Sequence, residues 1–345
     1  MINNIKKKIR WHITDIKARI GIGNAEILRR GNLPAYAPQE PRLLSIPLGD
    51  ESFSSSDVLH STFCTQEHAA NVPFSLWVKT QHANECIRYY PAGLNSSENP
   101  KVMVFFPGDL TLRTTKGERR VVHSYKSNSP QKVIQAVQQW AADANIPALY
   151  VGRPGTFGSS GNHDNRRQIT EIKLMNESLN LLKKKYKIGE FIVTGQSGGG
   201  QIAAAMLNLR QDISAAVITS GLLPVHFLTR RWRKIRPIPG AKKHPIEMLY
   251  DPTEGIADIP KDPQPIIIII SDPRDRVIPF NSQVLYVNRL KKEELTVHHI
   301  YAHAPLPKRH ALREHGKKAA ALIAKGANIE DIRIAIVSED MRNTS

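Results

Sequence analysis

Gly195-Gln196-Ser197-Gly198-Gly199 is the stretch of this 345-residue chain whose residue types point most directly to covalent chemistry. It follows an apolar run at 191–194 that reads as a strand, and it precedes a small-residue run at 201–209 that reads as a helix. A serine on a sharp strand-to-helix turn has its hydroxyl bared at the edge of a sheet, and the flanking glycines, Gly195 and Gly199, remove side chains that would collide with neighbouring backbone. The first amides of the helix, Gly198 foremost, would face any oxyanion formed at Ser197. A glycine-rich turn with a surface serine would carry the same letters. The strand before it and the helix after it favour the nucleophile.

A serine hydroxyl needs a base, and the base needs a carboxylate to orient it. In turns of this kind the chain order is Ser, acid, His. The apolar run 266–270 leads into Ser271-Asp272-Pro273-Arg274-Asp275-Arg276-Val277-Ile278-Pro279, which offers two carboxylates. Asp272, before a proline, reads well as a turn former. For the base, His298 and His299 lie side by side on a strand at 295–301 and point to opposite faces, as packing or surface residues do. His303 and His310 follow on a loop, and His315 reads as a helix surface residue.

The second oxyanion donor belongs to the loop after the strand 102–106, where Pro107-Gly108-Asp109-Leu110 stands. Gly108 permits close approach, and the Asp109 amide is the preferred donor, with Leu110 next. The Asp109 carboxylate is awkward beside a developing negative charge, so it should turn away or meet a basic residue of the segment 222–264. Arg153-Pro154-Gly155-Thr156-Phe157-Gly158-Ser159-Ser160-Gly161 completes the set of motifs. Together they resemble the α/β-hydrolases, over about residues 74–325. The second loop is similar to the R-P-G-x-G-x-S loop of the esterase, lipase and prolyl-peptidase branches. The resemblance implies Asp275, in its Asp-Arg-Val-Ile-Pro run, as the acid, with Asp272 the runner-up. It implies His310 as the base, with His303 the competitor. Departures are the missing histidine before Gly108 and the extra Phe157. Ser159 and Ser160 lack the G-x-S-x-G frame and read as loop residues.

These residues need a scaffold, and the remaining pattern supplies one. Strand-like runs at 74–80, 85–90, 102–106, 148–151, 191–194, 215–219, 266–270 and 295–301 alternate, after the first three, with helix-like runs at 133–142, 172–186, 201–209, 282–290 and 312–325. That alternation implies an α/β fold: a mostly parallel central sheet with helices on both faces. Residues 222–264 break the rhythm with seven prolines and no clear strand, which reads as a cap or lid inserted over the carboxyl edge of the sheet. The organisation expected is a basic extension over 1–50, core over 51–221 and 265–345, and the cap between them.

The composition is that of an ordinary globular protein, 41% hydrophobic and 23% charged, which excludes disorder. No apolar run reaches membrane-spanning length and the N-terminus lacks a secretory h-region, so a cytoplasmic location is expected. Cys64 and Cys86 lack metal or redox spacing and read as free thiols. No cluster has metal-ligand spacing, Gly21-x-Gly23 lacks its third glycine, and Gly198-Gly199-Gly200 lacks the lysine of a phosphate loop, so no cofactor is expected. The net charge of +17 invites an anionic partner. The cap carries Arg230, Arg231, Arg233, Lys234, Arg236, Lys242 and Lys243 beside Phe227, Leu228 and Trp232, which suits an acyl substrate with an anionic head or a membrane surface. A solvated charge run would look the same. Nucleic acid is disfavoured by few aromatics and no matching motif. The function expected is hydrolysis of an ester, thioester or amide through an acyl-enzyme. The alternative is a catalytically idle fold used as a binding module for phosphate-rich partners or a membrane surface.

Overall fold

Five consecutive isoleucines, Ile266 through Ile270, have no amphipathic period, and such a strand needs apolar cover on both faces. The fold provides it: Ile267 and Ile269 join one hydrophobic core, while Ile268 and Ile270 join another on the opposite face. The computed structural model describes residues 41–95, 97–113, 119–235 and 244–342, together with a short strand at Ala25–Ile27.

The two cores sandwich an eight-stranded sheet. Its strands are β1 (Ser75–Lys79), β2 (Asn84–Ala92), β3 (Asn99–Phe106), β4 (Ala148–Val151), β5 (Ile188–Gln196), β6 (Ile213–Thr219), β7 (Ile266–Ser271) and β8 (Val297–Tyr301). Their spatial order is β8-β7-β6-β5-β3-β4-β2-β1. Strand β2 runs antiparallel to β1 and β4, and the other pairings are parallel. Helices α1 (Pro130–Ala144), α6 (Arg313–Ala324) and α7 (Ile329–Arg342) cover one face. Helices α2 (Ile169–Tyr186), α3 (Gly198–Leu209) and α5 (Phe280–Lys292) cover the other. The stripe Ile172, Met175, Leu179 and Leu182 on α2 is buried, as its spacing requires.

Register fixes where the loops emerge. Gly195 of β5 lies opposite Phe106 of β3, Gln196 lies opposite Thr219 of β6, and Ser271 of β7 lies opposite Tyr301 of β8. The strands therefore end level, and the loops after β3, β5, β7 and β8 leave from one edge, the usual position of a site in an open α/β sheet.

Several features depart from the sequence reading. Helix α7 continues the chain beyond the helix expected at 312–325, and Ile332 and Ile336 bury it against the second core. Within 222–264 a helix, α4 (Val225–Ile235), forms where no regular element was expected, with Val225 and Leu228 turned inward. His315 is buried rather than exposed, because the face of α6 that carries it packs on β5 and β6. Two short pieces of the segment read as an extension pair elsewhere: Ala25–Ile27 with the strand Arg119–Val122, and Arg42–Leu43 with Thr62–Phe63. Most of the extension expected over 1–50, with Gly21 and Gly23, lies outside the described residues, as do Arg236, Lys242 and Lys243. Among the described residues no helix is long and apolar enough to cross a membrane.

The two cysteines are not free. Cys64 and Cys86 form a disulfide with 6.1 Å between α-carbons, tying the segment before β1 to β2. Spacing in sequence did not reveal it, because 22 residues separate partners that meet only when β2 folds into the sheet. Closing a loop of that size stabilises by about 3 kcal/mol in the chain-entropy account. Cys64→Ser or dithiothreitol should lower the urea midpoint by a matching amount, and an unchanged midpoint would show the bond contributes nothing.

Candidate active site

Ser197 has φ +58° and ψ −115°, a conformation costly for any residue with a side chain and typical of functional corners. The neighbouring glycines make the corner possible. A Cβ on Gly195 would strike the Gly199 carbonyl, and one on Gly199 would strike the Phe106 carbonyl at the end of β3. The Ser197 amide donates to the Thr219 carbonyl at 3.0 Å, and the Ser197 carbonyl accepts from Leu222 at 3.0 Å, so β6 and the chain leaving it fix the turn. The hydroxyl is not spent on capping α3 and is only partly covered. Gly198, at the start of α3, presents one of the amides that has no acceptor within the helix.

The loops after β7 and β8 bring Asp275 and His310 together. His310 Nδ1 lies 2.7 Å from Asp275 Oδ2, and the Asp275 side chain has no solvent exposure. Its other oxygen accepts from the Val277 and Ile278 amides at 2.7 and 3.0 Å, so the carboxylate is fixed and can only accept from the imidazole. The proton on Nδ1 leaves Nε2 as a base. Gln196 joins this pair to the serine corner: its amide nitrogen donates to the His310 carbonyl at 2.6 Å, and its oxygen accepts from the Leu312 amide at 2.9 Å. Sequence reading passed over Gln196 as the variable letter of the motif. Its adjacency to Ser197 was the only signal.

The runner-up residues have other partners. Asp272 is fully buried, accepts from the Arg274 amide at 2.7 Å and the Ala304 amide at 2.9 Å, and lies 3.6 Å from Arg309. It fastens the β7 loop to the β8 loop. His303 meets Arg274 at 3.0 Å. His299 stacks on Phe280 and bonds Ser271, and burial pushes its imidazole down to about 4. Ser159 and Ser160 accept from the Arg88 and Cys86 amides and complete the edge of β2.

Gly108 packs against the corner: a Cβ there would stand 3.4 Å from Ser197 Cβ. The Leu110 amide is committed to His163 Nε2 at 3.2 Å, which leaves Asp109 the better placed donor of the two considered. That bond makes Nε2 the acceptor, and burial, reinforced by Arg153 and Arg166, holds the His163 imidazole well below its usual range and hence neutral.

The Asp109 carboxylate turns away from solvent, but not to the cap. Arg153, from the loop after β4, donates to Oδ1 at 2.8 Å, and Arg166 donates to Oδ2 at 3.2 Å, joined there by Arg167. Burial alone would raise this carboxyl, but Arg167, Arg153 and Arg166 outweigh it and hold it well below the usual range. Arg153 is fully buried and also grips Glu171 at 2.9 and 3.2 Å. A Cβ on Gly198 would strike both the Asp109 carboxylate and Arg153, so this ion network lies directly under the start of α3. The sequence showed Arg153 as a loop letter, and nothing in it paired that residue with Asp109.

The described part of the segment 222–264 is anchored beside these groups. Gln201 of α3 donates to the Tyr250 carbonyl at 2.7 Å, the Tyr250 amide donates to the Arg167 carbonyl at 2.8 Å, and Trp232 of α4 covers the Arg167 guanidinium. Leu222, Val225, Leu228 and Leu249 form a small core with Ile278 of the acid loop.

Replacing Arg153 by methionine would leave the buried Glu171 and Asp109 without their shared counter-charge. Such a change costs about 3–5 kcal/mol. Chemical denaturation should show that loss in Arg153→Met, and a loss below about 0.5 kcal/mol, the size of an ordinary surface substitution, would contradict the network's importance.

No known protein family and no curated protein matches this chain in sequence. Solved structures do match in shape. A puromycin-hydrolyzing peptidase of Mycobacterium tuberculosis aligns with TM-score 0.51 at 14% identity, over 74% of this chain and 39% of its own. Est1E from Butyrivibrio proteoclasticus aligns with TM-score 0.49 at 11% identity, over 73% and 98%. An acylaminoacyl peptidase aligns with TM-score 0.47 at 13% identity, over 74% of this chain. The chain spans about 40% of that peptidase's length. The shape comparison and the mostly parallel eight-stranded sheet agree in one respect: this chain has the α/β-hydrolase fold.

Proposed function

We infer that the protein is a serine hydrolase that cleaves an ester, thioester or amide through an acyl-enzyme on Ser197. The observation that carries the reading is the His310–Asp275 pair, 2.7 Å apart and tied through Gln196 to the strained Ser197 corner. Ser197 Oγ attacks the carbonyl carbon while His310 Nε2 takes the hydroxyl proton, and Asp275 steadies the imidazolium that results. The Gly198 and Asp109 amides receive the oxyanion. Collapse expels the leaving group, which takes the proton from His310. Water then attacks the acyl carbon with His310 as base again, releasing the acid and restoring the serine. No cofactor enters this cycle.

Residues 222–264 serve as a lid in this reading, since they rest on α3 and on the acid loop. Helix α4 turns Phe227, Arg230, Arg231 and Lys234 outward, at positions i, i+3, i+4 and i+7 of one face. That face suits an acyl substrate with an anionic head, or approach to an anionic lipid surface. The disulfide favours an oxidising compartment over the cytoplasm.

A fluorophosphonate probe should label the wild type and leave Ser197→Ala unlabelled. Asp275→Asn, which frees the imidazole to take the wrong tautomer, should lower kcat on an activated ester by about 10⁴. Equal labelling of Ser197→Ala, or full turnover by Asp275→Asn, would overturn the assignment. An unlabelled wild type with steeply salt-dependent polyanion binding would favour the binding module instead.

A further inference from the structure

His226 opens the first full turn of α4, and the chain returning from the cap passes beside it at 249–254. Its Nε2 lies 3.0 Å from the Leu249 carbonyl, an acceptor only, so Nε2 carries the ring proton. Nδ1 then faces two more acceptors: Glu254 Oε1 at 2.8 Å and Asp251 Oδ2 at 3.8 Å. A lone pair aimed at two carboxylates is unfavourable, so either a proton or a metal ion stands between them.

Charge makes the same demand independently. Asp251 is buried, with 4% of its side chain exposed, and its hydrogen bonds come from neutral donors: the His226 and Thr253 amides and the Thr253 hydroxyl. Among the described residues no lysine or arginine pairs with Asp251 or Glu254. The three ligand atoms lie within 4.8 Å of one another. Ligands of a tetrahedral zinc ion stand roughly 3–3.5 Å apart, given bonds of about 2.0–2.1 Å. Glu254 is two-thirds exposed and free to adjust, and solvent can supply the fourth ligand.

We propose that His226 Nδ1, Asp251 and Glu254 form a binding site for a divalent ion of the zinc class at the base of the cap. The backbone carbonyl on Nε2 is the outer contact that ordinarily fixes a metal-binding imidazole. An imidazole in the set disfavours calcium and magnesium, which prefer oxygen alone. Two carboxylates neutralise the ion. Bound there, it joins the start of α4 to the segment that Gln201 of α3 holds through Tyr250. The proposal does not rest on the hydrolase assignment.

The test uses the full chain, stripped with EDTA and given one equivalent of zinc chloride. Wild type should retain about one zinc per chain through buffer exchange and melt at higher temperature with zinc than without. Glu254→Gln, an exposed change whose folding is checked by its zinc-free melt, should weaken binding at least tenfold, and His226→Gln should abolish it. Equal zinc affinity in wild type and Glu254→Gln would overturn the proposal. So would a doubly protonated His226 ring, seen by nitrogen NMR at pH 8 with zinc present, since that would make the imidazolium itself the counter-charge.

Discussion

Backbone passes so close to backbone at Gly195, Gly199 and the Phe106 carbonyl that no side chain fits between them. That contact forces the chain from β5 into α3 without a loop, and leaves Ser197 half-buried at positive φ. The cost of the strained corner is met by what surrounds it: buried strands on either side, and hydrogen bonds from Ser197 to Thr219 and Leu222. Because the strands end level, the corner stands beside the loops that carry Asp275, His310 and Gly108. Asp272 fastens the loops after β7 and β8 to each other.

Electrostatics beneath the corner follows a second rule. A carboxylate next to a forming oxyanion would oppose it, yet Asp109 is there. Three arginines enclose that carboxylate, and the buried Arg153 shares its charge with Glu171. The network turns an unfavourable residue into a fixed support for the amide of the same residue. It also reaches the cap, since Arg167 meets Trp232 and its carbonyl accepts from Tyr250.

Much of this was legible in the chain. Apolar runs and the stripe on α2 revealed the sheet and its helices, because burial on two faces or one leaves a period in the sequence. The G-x-S-x-G turn marked Ser197 as a candidate through the strand and helix on either side of it, and the resemblance of the Asp-Arg-Val-Ile-Pro run marked Asp275. Contacts between distant segments left no such trace. Gln196 reaching His310, Arg153 reaching Asp109, and Cys64 reaching Cys86 depend on which loops the sheet brings to one place. Helix α4 was hidden for another reason: its apolar stripe, Val225, Leu228 and Trp232, sits among four lysines and arginines and is followed by prolines that suggested irregular chain.

If Ser197 is the nucleophile, the substrate acyl group passes through a covalent bond to its Oγ. Acid-quenching the protein within milliseconds of mixing with a p-nitrophenyl ester, then measuring the mass of its peptides, tests this directly. The peptide that contains Ser197 should gain an acyl mass that decays as free acid forms. Ester turnover with that peptide unmodified throughout would contradict it.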